Sequence, residues 1–224
     1  MNGIYGIVSC DVIDSTSLSL DALIQLRKDI CSKLFPDIDT LCPGFWGRIV
    51  RGDTLECCFD NPRKAFRAAL LIKCWFKEWA SCHGASGEMI KTGVRYSIGI
   101  GPMRLIDREM DIMDGVAIYL AGRNLDILSE KGLTSYFEMD SGNDDINALI
   151  GTDLMLVDRM IEQSTERQVP ILYGRLMGMT EKEIARKLSI SQGAVNQRAK
   201  YADWPMIKHT LTVLENIEYD RYVE

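Results

Sequence analysis

Apolar and polar positions along the chain fall into blocks with two periods. Ile4 to Cys10 is an apolar run rich in Ile and Val, which predicts a buried strand. Ala22, Leu23, Leu26, Ile30 and Leu34 recur every three or four residues and predict a helix over roughly 20–34, capped by Ser17 or Ser19 and ended by Pro36. Phe45 to Val50 and Leu55 to Phe59 read as two strands joined by Arg51-Gly52-Asp53-Thr54, where Gly52 can take positive φ. After a cap at Asp60 or Asn61 and Pro62 in the first turn, Phe66, Ala69, Leu70 and Cys74 carry a second helix. Val94 to Gly101 alternates like a strand, and Leu105 to Met113 reads as a further strand or an extended excursion. Helices over 115–128 and 144–163 flank a short strand at 134–139.

That order predicts helices on one face of a mainly antiparallel sheet, an α+β fold. From about Thr165 onward no strand pattern remains. Two units are therefore expected, 1–163 and an all-helical 164–224.

Composition changes this picture little. The chain has 224 residues, 46% of them hydrophobic, enough for one substantial core and a small second module. The formal net charge of -6 excludes a nucleic-acid coat. The seven cysteines are odd in number and irregularly spaced, so they read as reduced, core-filling thiols of a cytoplasmic protein. No C-x-x-C pair occurs, and His83 and His209 are far apart, which disfavours zinc. No stretch approaches 18 uninterrupted apolar residues, so neither a membrane span nor a signal peptide is expected.

The first strand ends in an unusual way. Asp11 and Asp14 follow it, with Ser15 and Thr16 next, while Asp53 occupies the turn between the next two strands. If those strands are sheet neighbours, Asp11 and Asp53 emerge together and repel each other unless a cation lies between them. Mg²⁺ (or Mn²⁺) suits such a pair, because it is commonly held by one or two carboxylates and substrate phosphates. The backbone carbonyl of Val12 would add a ligand, and the N–H groups of Ser15 and Thr16 at a helix entrance would suit phosphate. The alternative is that Asp14 merely caps the helix and Asp53 is an ordinary turn residue.

"VSCDVIDST", "RIVRGDTLECCFDNPRKAFRAAL", "VRYSIGIG" and "DGVAIYLAGRNLD" together resemble the ordered motifs of class III nucleotidyl cyclases over roughly residues 4–128. The resemblance implies a ferredoxin-like palm, metal-binding roles for Asp11 and Asp53, and a charge-stabilising role for Arg123. Tyr119 stands where that family has a ribose-orienting asparagine, and Ile49 where a purine-reading lysine often lies. The family also implies a homodimer in which both subunits complete each site. Over nearly its whole length the chain resembles the SatD-type bacterial proteins, which add a carboxyl-terminal helix-turn-helix.

"MTEKEIARKLSISQGAVNQRAK" carries helix-turn-helix spacing. Thr180 and Glu183 form a capping box, Ser191 caps the second helix, and Ala185 permits close approach. This stretch resembles the DNA-reading helices of bacterial regulators and sigma-factor-type domains. Between Arg167 and His209 stand eight Lys or Arg against three Asp or Glu, so the module is basic within an acidic chain. Ser191, Gln192, Asn196, Gln197, Arg198 and Lys200 would face DNA bases and phosphates. A helical hairpin that packs on the rest of the chain is the competing reading. Ile207, Leu211 and Leu214 form a last stripe suited to core or to a dimer seam, and Trp204 suits an anchor.

Three functions are compatible with these features: a nucleotide-sensing DNA-binding regulator, an active nucleotidyl cyclase or transferase, and a scaffold that binds no ligand.

Overall fold

The computed structural model describes residues 3–50, 52–83 and 93–223, with only the backbone described at 83, 129 and 130. Arg51 of the expected turn and the side chain of His83 lie outside the described residues.

Strand β1 (Ile4–Val12) is the axis of the sheet. It pairs antiparallel with β3 (Thr54–Phe59) on one side and β4 (Val94–Asp107) on the other. Outside β3 lies β2 (Trp46–Val50); β5 (Ile112–Gly115) pairs with the distal part of β4, and β6 (Ser135–Met139) runs parallel to it. The order β2-β3-β1-β4, with helices between β1 and β2 and between β3 and β4, is the ferredoxin-like βαββαβ arrangement. The fold is α+β, as expected.

The strand-to-strand alternation sorts side chains onto two faces. Val8, Cys10, Val12, Leu55, Cys57, Phe59, Tyr96, Ile98 and Ile100 enter the main core. Helix α3 (Lys64–His83) and α5 (Asp144–Gln163) close that face, through Phe66, Leu70 and Phe76 and through Ile150, Leu154, Val157 and Ile161. Helix α4 (Val116–Lys131) lies on the opposite face, where Ile7, Cys58, Met103, Ala117 and Ala121 make a smaller cluster. The expectation of helices on one face is thus corrected. The reason is Gly99: a Cβ there would stand 2.2 Å from the Ala117 carbonyl oxygen, so only glycine lets α4 lie on the sheet.

Two boundaries also differ from the pattern reading. Pro36 does not end the first helix. Leu20–Asp29 (α1), capped by the Ser19 side chain, continues through a π-helical turn at Ile30–Leu34 into α2 (Phe35–Leu41). Pro36 falls in the first turn of α2, where a missing N–H is tolerated. Leu105 does not open a new strand; β4 runs on to Asp107 and turns into β5 through Asp111 at φ 56°.

The tail is helical throughout: α6 (Val169–Leu176), α7 (Glu181–Lys187), α8 (Gln192–Tyr201) and α9 (Trp204–Asn216). Leu172, Leu176, Ile207, Leu211 and Leu214 enter the same core as the sheet. Ile171, Ile184, Ala185, Val195 and Ala199 form a separate small core between α6, α7 and α8, and Trp204 touches both. A bidentate ion pair from Arg67 of α3 to Glu215 of α9, at 2.7 Å through each nitrogen, ties tail to palm. The same arginine donates to the Leu176 carbonyl at 3.1 Å.

The described cysteines are free thiols; Cys57 and Cys58 point to opposite faces, and five of the seven are buried. Burial pushes Cys42 up to about 11 and Cys58 up to about 12, so both stay protonated at neutral pH. Among the described residues no helix is long and apolar enough to cross a membrane.

Candidate functional site

Cross-strand register places Asp11 opposite Thr54 on one side and opposite Arg95 on the other. Asp53 precedes Thr54 directly, so the two aspartates come from adjacent strands at one end of the sheet. The turn that carries Asp53 depends on Gly52 at φ 88°, a conformation that favours glycine. Arg27 of α1 donates to the Gly52 carbonyl at 3.0 Å and holds the turn against the first helix.

The loop after β1 closes over this end. Asp14 adopts a left-handed conformation at φ 54° and leads into a single 3₁₀ turn, Ser15–Ser17. The long helix starts only at Leu20, so Ser15 and Thr16 sit in this separate turn rather than at the entrance expected from the sequence. Neither the Ser15 nor the Thr16 N–H donates to a backbone carbonyl among the described residues. The Ser15 hydroxyl donates to Asp53 Oδ2 at 2.5 Å, which fastens the loop to the turn.

Charge at this end is partly balanced within the chain. Arg95 donates to Asp11 Oδ2 at 2.8 Å, with both side chains about a quarter exposed (23% and 30%). Arg95 was the partner that spacing along the sequence could not reveal, since only strand register brings residue 95 to residue 11. Asp11 and Arg95 stand on the α4 face, opposite the face that Val12 fills with its side chain. On that same face a row of polar residues crosses the sheet: Arg48, Glu56, Ser9 and Ser97 are successive register partners on β2, β3, β1 and β4. Arg48 and Glu56 pair at 2.7 Å. The Ser9 and Ser97 hydroxyls are buried and, like Asn124 Oδ1 on α4, have no hydrogen-bond partner among the described residues. Buried hydroxyls without partners are uncommon, because each costs free energy.

A divalent ion is compatible with this donor set but not fully provided for by it. In each aspartate Oδ2 is engaged, while Oδ1 receives no hydrogen bond among the described residues. No three His, Cys, Asp or Glu side chains gather closely enough among the described residues to hold an ion by themselves. Two hard carboxylates would need phosphate oxygens to complete an octahedral shell, which is how Mg²⁺ is commonly held.

Arg123 is elsewhere. Its guanidinium pairs with Glu138 at 2.7 Å and lies 5.6 Å from the Tyr119 ring centroid. Hydrogen bonding to Glu138 pushes its already high pKa further up. Asn124 shares Glu138 at 2.8 Å. Glu138 is in register with Gly99, four residues along β4 from Arg95, or roughly 13 Å at ~3.3 Å per residue. One chain therefore brings Asp11, Asp53 and Ser15 together but not Arg123. Ile49 lies on β2 opposite Leu55 and packs against the main core, while Tyr119 is 65% exposed.

In the tail, the Thr180 capping box forms as expected and the Ser191 hydroxyl accepts from the Ala194 N–H at 3.1 Å. Ser189 at φ 54° makes the turn between α7 and α8. Ser191, Gln192, Asn196, Gln197 and Lys200 are exposed on α8, and Arg198 is half-buried. Asn196 also donates to Glu181 at 3.3 Å, and Arg175 pairs with the same carboxylate.

No protein-family model and no curated protein matches this chain. Among solved structures, an adenylate/guanylate cyclase/hydrolase from Silicibacter pomeroyi is similar at 22% identity, with a TM-score of 0.41 over 55% of this chain and 69% of that one. A bacterial light-regulated adenylyl cyclase is similar at 16% identity, with a TM-score of 0.43 over 61% of this chain and 76% of that one. Another structure of a bacterial light-regulated adenylyl cyclase gives the same identity and TM-score over 43% of its length. These are partial likenesses in the course of the backbone.

Proposed function

We propose that the chain is a cytoplasmic regulatory protein that binds a nucleoside triphosphate with Mg²⁺ or Mn²⁺ at the Asp11–Asp53 end of the sheet and binds DNA through α8. The observation that carries the nucleotide reading is the convergence of Asp11, Asp53 and the Ser15–Ser17 turn, fastened by the Ser15–Asp53 hydrogen bond. Asp11, Asp53 and the Val12 carbonyl would hold the ion, and the Ser15 and Thr16 N–H groups would meet phosphate. Binding is favoured over cyclisation because Tyr119 replaces the ribose-orienting group and Arg123 is engaged by Glu138. A homodimer fits the exposed Leu105, Met110, Ile112 and Tyr119. The two units, 1–163 and 164–224, would then be sensor and reader.

Thermal shift with each of the four ribonucleoside triphosphates tests the nucleotide reading. A ligand bound only by the folded state must raise the melting point. The expected result is a divalent-dependent rise for at least one triphosphate, absent in Asp53→Ala. No rise, or an equal rise without metal and in the variant, overturns the reading. For DNA, gel shift on genomic fragments at rising salt should show weakening with salt, as phosphate contacts require. Lys200→Ala should lower affinity for every fragment and reduce the salt slope by about one. Retention that ignores salt contradicts the DNA reading.

A further inference from the structure

Against α3 lies a cavity of about 480 Å³, within the size range of small-molecule sites. It opens where α3 meets the π-helical turn, α2, α6 and α7. Trp75 and Trp79, one turn apart on α3, supply its apolar wall and are 8% and 4% exposed. The Trp79 indole N–H donates to Asp29 at 3.0 Å, which fixes that ring. Tyr173 of α6 supplies a further ring, and its hydroxyl donates to Asp37 at 2.5 Å.

The charged groups of the lining are matched with one exception. Lys33 is paired with the buried Asp29 at 2.9 Å. Asp37 is taken by Tyr173. Lys187, at the end of α7, rests its ammonium 5.8 Å from the Tyr173 ring centroid. Glu78 is half-buried and, among the described residues, receives no hydrogen bond or ion pair. Burial pushes the Glu78 carboxyl up, and the nearby Lys187 charge only partly offsets this. An acid in that position gains from a cation that enters the cavity and pairs with it. The rings favour the same ligand, since aromatic faces attract ammonium groups and one already does so here.

We propose that this cavity is a binding site for a small organic cation, an ammonium group carried on an aromatic or aliphatic body. The ammonium donates to Glu78 and the body lies against Trp75 and Trp79. The entering cation takes over the aromatic face that Lys187 now occupies. This site is separate from the Asp11–Asp53 end and does not depend on the nucleotide reading.

Calorimetric titration of the full chain with phenethylammonium tests the proposal, with phenylpropionate as an anion of matching shape. The expected result is saturable one-to-one binding of the cation and none of the anion. Glu78→Gln should bind the cation at least ~tenfold more weakly, a change that circular dichroism should show to leave the fold intact. Lys187→Met should bind it several-fold more tightly, because the resident ammonium no longer competes. A tighter variant cannot be explained by misfolding. No cation binding by the wild-type chain, equal binding by Glu78→Gln, weaker binding by Lys187→Met, or binding of the anion as strong as the cation, each overturns the proposal.

Discussion

The two faces of one sheet follow different rules. On the α3 face, Val8, Cys10, Val12, Leu55, Cys57, Val94, Tyr96 and Ile98 are fully or almost fully buried, and α3 and α5 cover them. Its polar exceptions gather in one place: Lys73 lies 3.5 Å from Asp158 and 2.9 Å from Glu162, and Thr134 donates to Asp158, while the buried Tyr96 hydroxyl has no hydrogen-bond partner among the described residues. On the α4 face only a small cluster around Ile7 and Gly99 is apolar. Beyond it come two polar rows, Arg48–Glu56–Ser9–Ser97 and Thr54–Asp11–Arg95, in which the Ser9 and Ser97 hydroxyls have no hydrogen-bond partner among the described residues. The first face is closed by apolar packing, with its few polar groups confined to the neighbourhood of Lys73 and Asp158. The second carries polar residues in rows across the sheet, and leaves buried hydroxyls at Ser9 and Ser97 unmatched among the described residues, as the first does at Tyr96.

Mutations should separate the faces. The largest effect is expected on the α3 face. Lys73→Met leaves Asp158 buried without its cation and should cost about 3–5 kcal/mol in urea unfolding, since breaking one side of a buried pair strands the other charge. The same variant should alter the acid limb of stability. Burial pushes the Glu162 carboxyl up, but the charge and hydrogen bond of Lys73 outweigh this and hold it below its usual range. A carboxyl lowered by folding contributes stability above its unfolded value, about 4.3, and loses it as pH falls through the folded value. The wild-type chain should therefore lose stability as pH drops below about 4.3, and Lys73→Met should lose less over that window. An unchanged pH slope would show that the Lys73 contacts do not govern this face.

Gly99→Ala comes next. Its Cβ would meet the Ala117 carbonyl at 2.2 Å and push α4 away from the sheet, at a cost of about 1–3 kcal/mol in the same unfolding assay. A neutral result would mean that α4 can slide. The smallest effect belongs to Ser9→Ala, which removes a buried hydroxyl that has no hydrogen-bond partner among the described residues. Stability should hold or rise, by less than about 1 kcal/mol, because the desolvation penalty of that group disappears. A clear loss of stability would show that Ser9 is satisfied after all.

Much of this organisation can be read along the chain. The helix expected over 144–163 is α5 with its bounds as predicted, the positive φ of Gly52 is where turn chemistry required it, and the Thr180–Glu183 box forms. These features are local: a cap, a turn residue, a run of one period. What the pattern missed depends on contacts distant in sequence. Pro36 is absorbed because a π-helical turn precedes it, and the backbone N–H of Phe35 reaches Ile30. The side of the sheet taken by α4 depends on one glycine facing one helix. The Asp11–Arg95 pair spans 84 positions along the chain and exists only through register. Arg123 lies on the helix that its motif suggested, yet its partner is Glu138 on β6, which no spacing within the motif indicates.

The central claim is that Asp11 and Asp53 share one divalent ion with a bound triphosphate. Anomalous diffraction from crystals soaked with Mn²⁺ and the triphosphate that most raises the melting point tests it most directly. The account predicts one manganese peak within about 2.2 Å of a carboxylate oxygen of both residues, with phosphate oxygens completing the shell. A peak bound to neither aspartate, or triphosphate seated elsewhere on the chain, would contradict it.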